Sequence, residues 1–88
     1  MRILLIDDEP FQRRLLTRQL SSAGFSDVRG FEQARDAVDL LEQDVAACDL
    51  IFCDLQMPGM DGVEFIRHLA RLQYAGALVL ISGEDDRI

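Results

Sequence analysis

Three short apolar runs in this chain each stop abruptly at residues with chemistry to offer. MRILLI at positions 1–6 runs into Asp7, Asp8 and Glu9, LIFC at 50–53 runs into Asp54, and ALVLI at 77–81 runs into Ser82. All three read as strands: LIFC as one buried on both faces, the habit of parallel sheets, MRILLI as a central strand and ALVLI as another fully apolar one. Between them the spacing turns helical. Ala34, Ala37, Val38 and Leu41 fall at i, i+3, i+4 and i+7, one stripe of a helix. Strand and helix in alternation with short links predict an α/β fold: a doubly wound, parallel, right-handed sheet with helices on both faces.

Taken in order, β1 is followed by a helix from Pro10 to about Ala23. Pro10 suits a first helical turn, where its missing N–H is no loss, and the carboxylate before it complements the helix dipole. This helix is expected to bury Phe11, Leu15, Leu16 and Leu20, to turn Gln12, Arg13, Thr17 and Arg18 to water, and to stop at Gly24. Ser26–Gly30, carried by Val28, is expected to be an edge strand, and the second helix to run from Phe31 to about Gln43, with a loop over Asp44–Cys48. After the Asp54 strand, Pro58 and Gly59 break any regular element and Asp61 offers a cap. A third helix begins near Gly62 and Val63, its buried stripe read as Val63, Ile66, Leu69 and Ala70 and its end as Gly76. The last strand is Ala77–Ile81.

Eighty-eight residues with 49% hydrophobic side chains make one small folded domain. A net charge of −7 argues against nucleic acid as a direct partner, because phosphate backbones are bound by basic patches. No apolar run approaches the ~18 residues needed to span a bilayer and no cleavable leader opens the chain, so the expected location is cytoplasmic, with no membrane partner. Cys48 and Cys53 lie on one extended segment roughly 16 Å apart at ~3.3 Å per residue, too far for a disulfide between them. All nine basic residues are arginine; there is no lysine.

If the three strands lie side by side, Asp7, Asp8, Asp54 and Ser82 converge on one crevice at the strands' C-terminal edge, where open α/β sheets bind ligands. Crowded carboxylates repel, so a pKa rises unless a cation neutralises them. An all-oxygen donor set favours a hard ion such as Mg²⁺, which accepts one or two carboxylates and keeps room for phosphate oxygens. A carboxylate held beside that ion can attack phosphorus to form an acyl phosphate. Ser82 could hydrogen-bond a phosphoryl oxygen. The plainer roles weigh differently for each residue: Glu9 and Asp61 read better as helix caps than as ligands, whereas Asp54 abuts a fully apolar run and reads poorly as a solvated turn residue.

LLIDDE at 4–9, CDLQMPGMDG at 53–62 and VLISGE at 79–84 together resemble the receiver domain of bacterial two-component response regulators, and the likeness extends from Met1 to Ile88. It implies a flavodoxin-like sheet in the order 2-1-3-4. By the resemblance, Asp54 accepts a phosphoryl group from a histidine kinase or phosphotransfer protein, and Asp8 ligates Mg²⁺ directly. Asp7 acts mainly through water, the backbone carbonyl of Gln56 supplies a further ligand, and Ser82, with Gly83 leaving room, turns toward the phosphoryl group to switch an output. The family's fifth strand, the lysine at its end and the last two helices have no counterpart here, so residues 1–88 are expected to be the N-terminal portion of such a domain, to bind Mg²⁺ and to be phosphorylated poorly. An apolar fourth strand at a sheet edge is expected to drive self-association.

Two rival readings remain: a receiver-like module that pairs with partners without switching, and an aspartyl-phosphate phosphatase of the haloacid dehalogenase kind. The latter needs an acid at position 56, which is Gln56. His68, between Arg67 and Arg71, reads as a surface residue, and Tyr74 as packing at a helix end. DDEPFQR at 7–13 is similar to receivers placed before cyclic di-GMP phosphodiesterase domains.

Overall fold

A computed structural model describes residues 1–54 and 59–81. Seven elements alternate along the described residues: β1 (Ile3–Ile6), α1 (Pro10–Ser22), β2 (Val28–Phe31), α2 (Ala34–Gln43), β3 (Leu50–Asp54), α3 (Gly62–Leu72) and β4 (Ala77–Ile81). The strands form one parallel sheet in the order β2-β1-β3-β4, as the resemblance implied. β1 is central and buried throughout.

Alternation along the strands divides the apolar side chains between two layers. Leu4 and Ile6 of β1 and Ile51 and Cys53 of β3 join Ala34, Ala37, Val38 and Leu41 of α2 and Phe65 and Leu69 of α3 in the main core. The intervening Leu5 and Phe52 meet Leu16 and Leu20 of α1 around a small hollow of about 120 Å³. The α2 stripe read from the sequence is the one that is buried.

Several boundaries and faces differ from expectation. β2 is Val28–Phe31 rather than Ser26–Gly30, because its register is set by pairing with Ile3–Ile6. Phe31 is thereby taken into the sheet, and α2 starts at Ala34. Phe11, expected in the core, is 64% exposed, while Leu15, Leu16 and Leu20 are half-buried. Phe11 is the second residue of α1, and helical side chains tilt toward the N-terminus, so it projects off the end of the sheet while the leucines lie over it.

In α3 the buried stripe is Gly62, Phe65 and Leu69, not Val63, Ile66 and Ala70, which are exposed. Both sets have helical spacing. The one that includes the largest side chain, Phe65, removes more apolar area from water and faces the core. The helix ends at Leu72, with Gln73 in the left-handed region (φ 59°), rather than at Gly76. Gly76 instead permits a close approach, since a Cβ there would collide with the Tyr74 hydroxyl and come within 2.7 Å of the Asp49 carbonyl oxygen. Tyr74 packs on the core as expected, its hydroxyl donating to the Ala77 carbonyl at 3.3 Å and lying 3.6 Å from the Cys48 thiol.

Candidate functional site

The parallel register that pairs Ile6 with Cys53 puts the next residues, Asp7 and Asp54, level at the C-terminal edge of adjacent central strands. Asp7 is 5% exposed and Asp54 8%; Asp8 is half-buried beside them. One carboxylate oxygen from each of Asp7, Asp8 and Asp54 lies within 4.8 Å of the others, so the acidic convergence expected from two of the strand ends is formed. The third expected contributor, Ser82, and also Gln56 and Gly83, lie outside the described residues; Ile81, which precedes Ser82, pairs with Asp54 across β3 and β4.

Local structure fixes Asp7 on three sides. Its N–H donates to the Phe31 carbonyl at 3.0 Å, extending the β1–β2 ladder by one residue. Its Oδ1 accepts the Glu9 N–H at 2.9 Å, closing a tight turn over Asp8, and its carbonyl accepts Arg13 Nη1 at 2.7 Å. Glu9 is the N-cap of α1, its side chain accepting the Phe11 N–H at 3.0 Å with Pro10 opening the helix. Asp61 likewise caps α3 by accepting the Glu64 N–H at 2.9 Å. Both acids therefore do what their positions before helices foretold.

The electrostatics follow from crowding. Burial raises the Asp7 carboxyl above its ordinary range, the charges of Asp54 and Asp8 push it further, and the Glu9 N–H and Arg13 offset part of the rise. Directly below, burial and the charges of Asp54 and Asp7 push the Cys53 thiol up to about 12. Its Sγ donates to the Asp54 carbonyl at 3.4 Å. Three oxygen donors, two of them buried, that repel one another are suited to a hard dication.

Arg13 is the residue that sequence reasoning misplaced. It was expected in water, yet it is half-buried and reaches back to the end of β1. The readable signal is its place one turn into a helix that begins three residues after Asp7, which returns its side chain over the strand end. His68 faces the surface side of α3, where its Nδ1 lies 2.9 Å from Arg71 Nη2. Both cysteines are free. No helix among the described residues is long and apolar enough to cross a membrane.

Comparison with known proteins gives the same fold. The response regulator receiver domain family matches residues 3–88. The chain is 36% identical over 88 residues to the cyclic di-GMP phosphodiesterase RocR of Pseudomonas aeruginosa, covering all of this chain and 22% of that protein. It is 38% identical over 91 residues to protein-glutamate methylesterase/protein-glutamine glutaminase 5 of Myxococcus xanthus, covering all of this chain and 26% of the relative. The chain thus spans about a quarter of the length of these curated relatives, and the catalytic names belong to those whole proteins. Among solved structures, the receiver domain of the histidine kinase CKI1 from Arabidopsis thaliana, complexed with Mg²⁺ and BeF₃⁻, superposes with a TM-score of 0.87 at 27% identity over 98% of this chain and 68% of that one.

Proposed function

Because the chain belongs to the receiver domain family of two-component response regulators, we propose that residues 1–88 are the N-terminal portion of such a domain and that Asp54 is its phosphoacceptor. The observation that carries this is the cluster itself: one carboxylate at the end of β3 facing two more at the end of β1, within 4.8 Å. The donor chemistry fits Mg²⁺. Asp8 and Asp54 would hold it directly, Asp7 would act through water, and the carbonyl of Gln56 would complete the protein's share. When bound, the ion neutralises charge on a transferring phosphoryl group.

The chain's own part is nucleophile and enclosure. A carboxylate oxygen of Asp54 attacks the phosphorus of a phosphohistidine; the P–O bond forms as the P–N bond breaks, and the departing imidazole nitrogen keeps the electron pair. Burial of Asp7 and Asp54 excludes bulk water from one side of the acyl phosphate. Ser82 then donates a hydrogen bond to a phosphoryl oxygen and so reports the change to an output. The donor is a sensor histidine kinase or a phosphotransfer protein, consistent with the kinase origin of the structural neighbour.

The test is incorporation from a small phosphodonor, read by mass spectrometry. Incorporation that needs Mg²⁺ and disappears in Asp54→Asn is expected, slow in a chain without lysine. No incorporation at saturating Mg²⁺, or wild-type incorporation in Asp54→Asn, refutes the assignment.

A further inference from the structure

The Arg13 side chain runs from α1 across the edge strand to the end of β1. The stem packs over β2 at Gly30, where a Cβ would make ordinary contact with it, 3.4 Å from Arg13 Cδ and 3.8 Å from its Nε. At its end Nη1 donates to the main-chain carbonyl of Asp7 at 2.7 Å. That carbonyl lies at the point where β1 has ended and the chain turns over Asp8 into α1, and the Asp7 carboxylate closes the same turn on Glu9. The helix end of the strut is also tied: the Arg13 N–H donates to the Glu9 carbonyl at 3.0 Å, and its own carbonyl accepts the Thr17 hydroxyl at 2.8 Å.

We propose that Arg13 is a positioning residue for the metal site: by bonding the Asp7 carbonyl from across β2, it holds the Asp7–Asp8–Glu9 turn in the shape that aims both carboxylates at Asp54. The inference rests on the reading of the cluster as a Mg²⁺ site. Its hydrogen bond is to the main chain of the turn, and its charge acts on the Asp7 carboxylate only from a distance.

Charge and position make opposite predictions here. A guanidinium near an acidic cup repels a dication, so removing it for its charge alone tightens Mg²⁺ binding. Removing a support that orients ligands weakens it, commonly by about ten- to a hundredfold. The experiment is a Mg²⁺ titration of the folded chain followed by backbone amide shifts in two-dimensional NMR, on wild type, Arg13→Met, Arg13→Lys and Arg14→Met. Arg14 carries the same charge one position away and is exposed.

Arg13→Met is expected to weaken Mg²⁺ binding by about tenfold, with faster hydrogen exchange at the Glu9 N–H and unchanged protection in β3. Arg13→Lys, which keeps the charge and a donor, is expected to recover most of the affinity, and Arg14→Met to bind like wild type or tighter. Equal or tighter binding by Arg13→Met overturns the proposal, as does an equal loss in Arg14→Met. Should Arg13→Met fail to fold, the lysine variant decides: affinity and Glu9 exchange that stay at, or depart from, wild type together support the strut, and faster exchange with unchanged affinity, or weaker binding with unchanged exchange, overturns it. A wild-type chain that shows no saturable response to Mg²⁺ removes the metal-site reading itself, a separate result from wild-type binding that Arg13→Met leaves intact.

Discussion

Replacing Asp7 with asparagine makes the acidic cup less costly to fold while spoiling it for metal. Asparagine keeps a carbonyl oxygen where Asp7 Oδ1 accepts the Glu9 N–H, so the turn retains its bond. What disappears is a buried charge with two like charges nearby. At 4.8 Å and an effective dielectric of about 20, each pair repels by about 3 kcal/mol. Partial exposure of Asp8 and the favourable Glu9 and Arg13 contacts reduce the total to roughly 1–3 kcal/mol.

The sign is set by the direction of the Asp7 shift. Its carboxyl holds a proton more tightly folded than unfolded, so its contribution to stability is intact below its ordinary value of 3.8 and is lost as pH rises through the raised folded value. At pH 7 without metal, Asp7→Asn is therefore expected to melt higher than wild type, by about 4–8 °C for each kcal/mol in a domain of this size. The gain shrinks as pH falls toward 4. Millimolar Mg²⁺ raises the melting temperature of wild type by mass action and of the variant less, narrowing the gap. Scanning calorimetry at both pH values, with and without Mg²⁺, reads out each of these differences. A variant less stable than wild type at pH 7 in metal-free buffer, or one whose advantage persists undiminished at pH 4, refutes the electrostatic account of the site.

Phe65→Ala is expected to cost about 3–5 kcal/mol and Val63→Ala within about 0.5 kcal/mol, measured by urea midpoints; similar losses at both positions contradict the phase of α3. Val79 and Leu80 of β4 are 41% and 37% exposed on a strand paired on one side only among the described residues, so the chain is expected to self-associate at micromolar concentration and Val79→Arg to return it toward monomer. Light scattering from a single monomeric species of the unaltered chain contradicts this.

β3 and β4 were legible because Leu50–Cys53 and Ala77–Ile81 are apolar at every position and too short for a helix, although only β3 is paired on both sides among the described residues. The cup was legible because parallel strands must end on one side, which turns separated acids into neighbours. α3 was misread because Val63, Ile66, Leu69 and Ala70 satisfy the same period as Gly62, Phe65 and Leu69; only the sheet decides which stripe it meets. Phe11 was misread because helical periodicity contains no information about where the sheet stops. Arg13 escaped notice because its partner is a main-chain carbonyl, which no pattern of side chains marks.

The two free thiols sit at opposite ends of the Asp54 strand, Cys48 just ahead of it on the rim with Tyr74 and Cys53 directly under the acids. With its thiol pushed up to about 12, Cys53 carries little thiolate near neutral pH, and the side chain is fully enclosed. Both side chains are buried, Cys53 wholly and Cys48 to 4% exposure beside a surface hollow, so alkylation of each speeds up as its own surroundings open. The molecule thus carries a pair of gauges, distinguishable by peptide mass, whose labelling rates report separately how often the acidic rim and the opposite rim breathe.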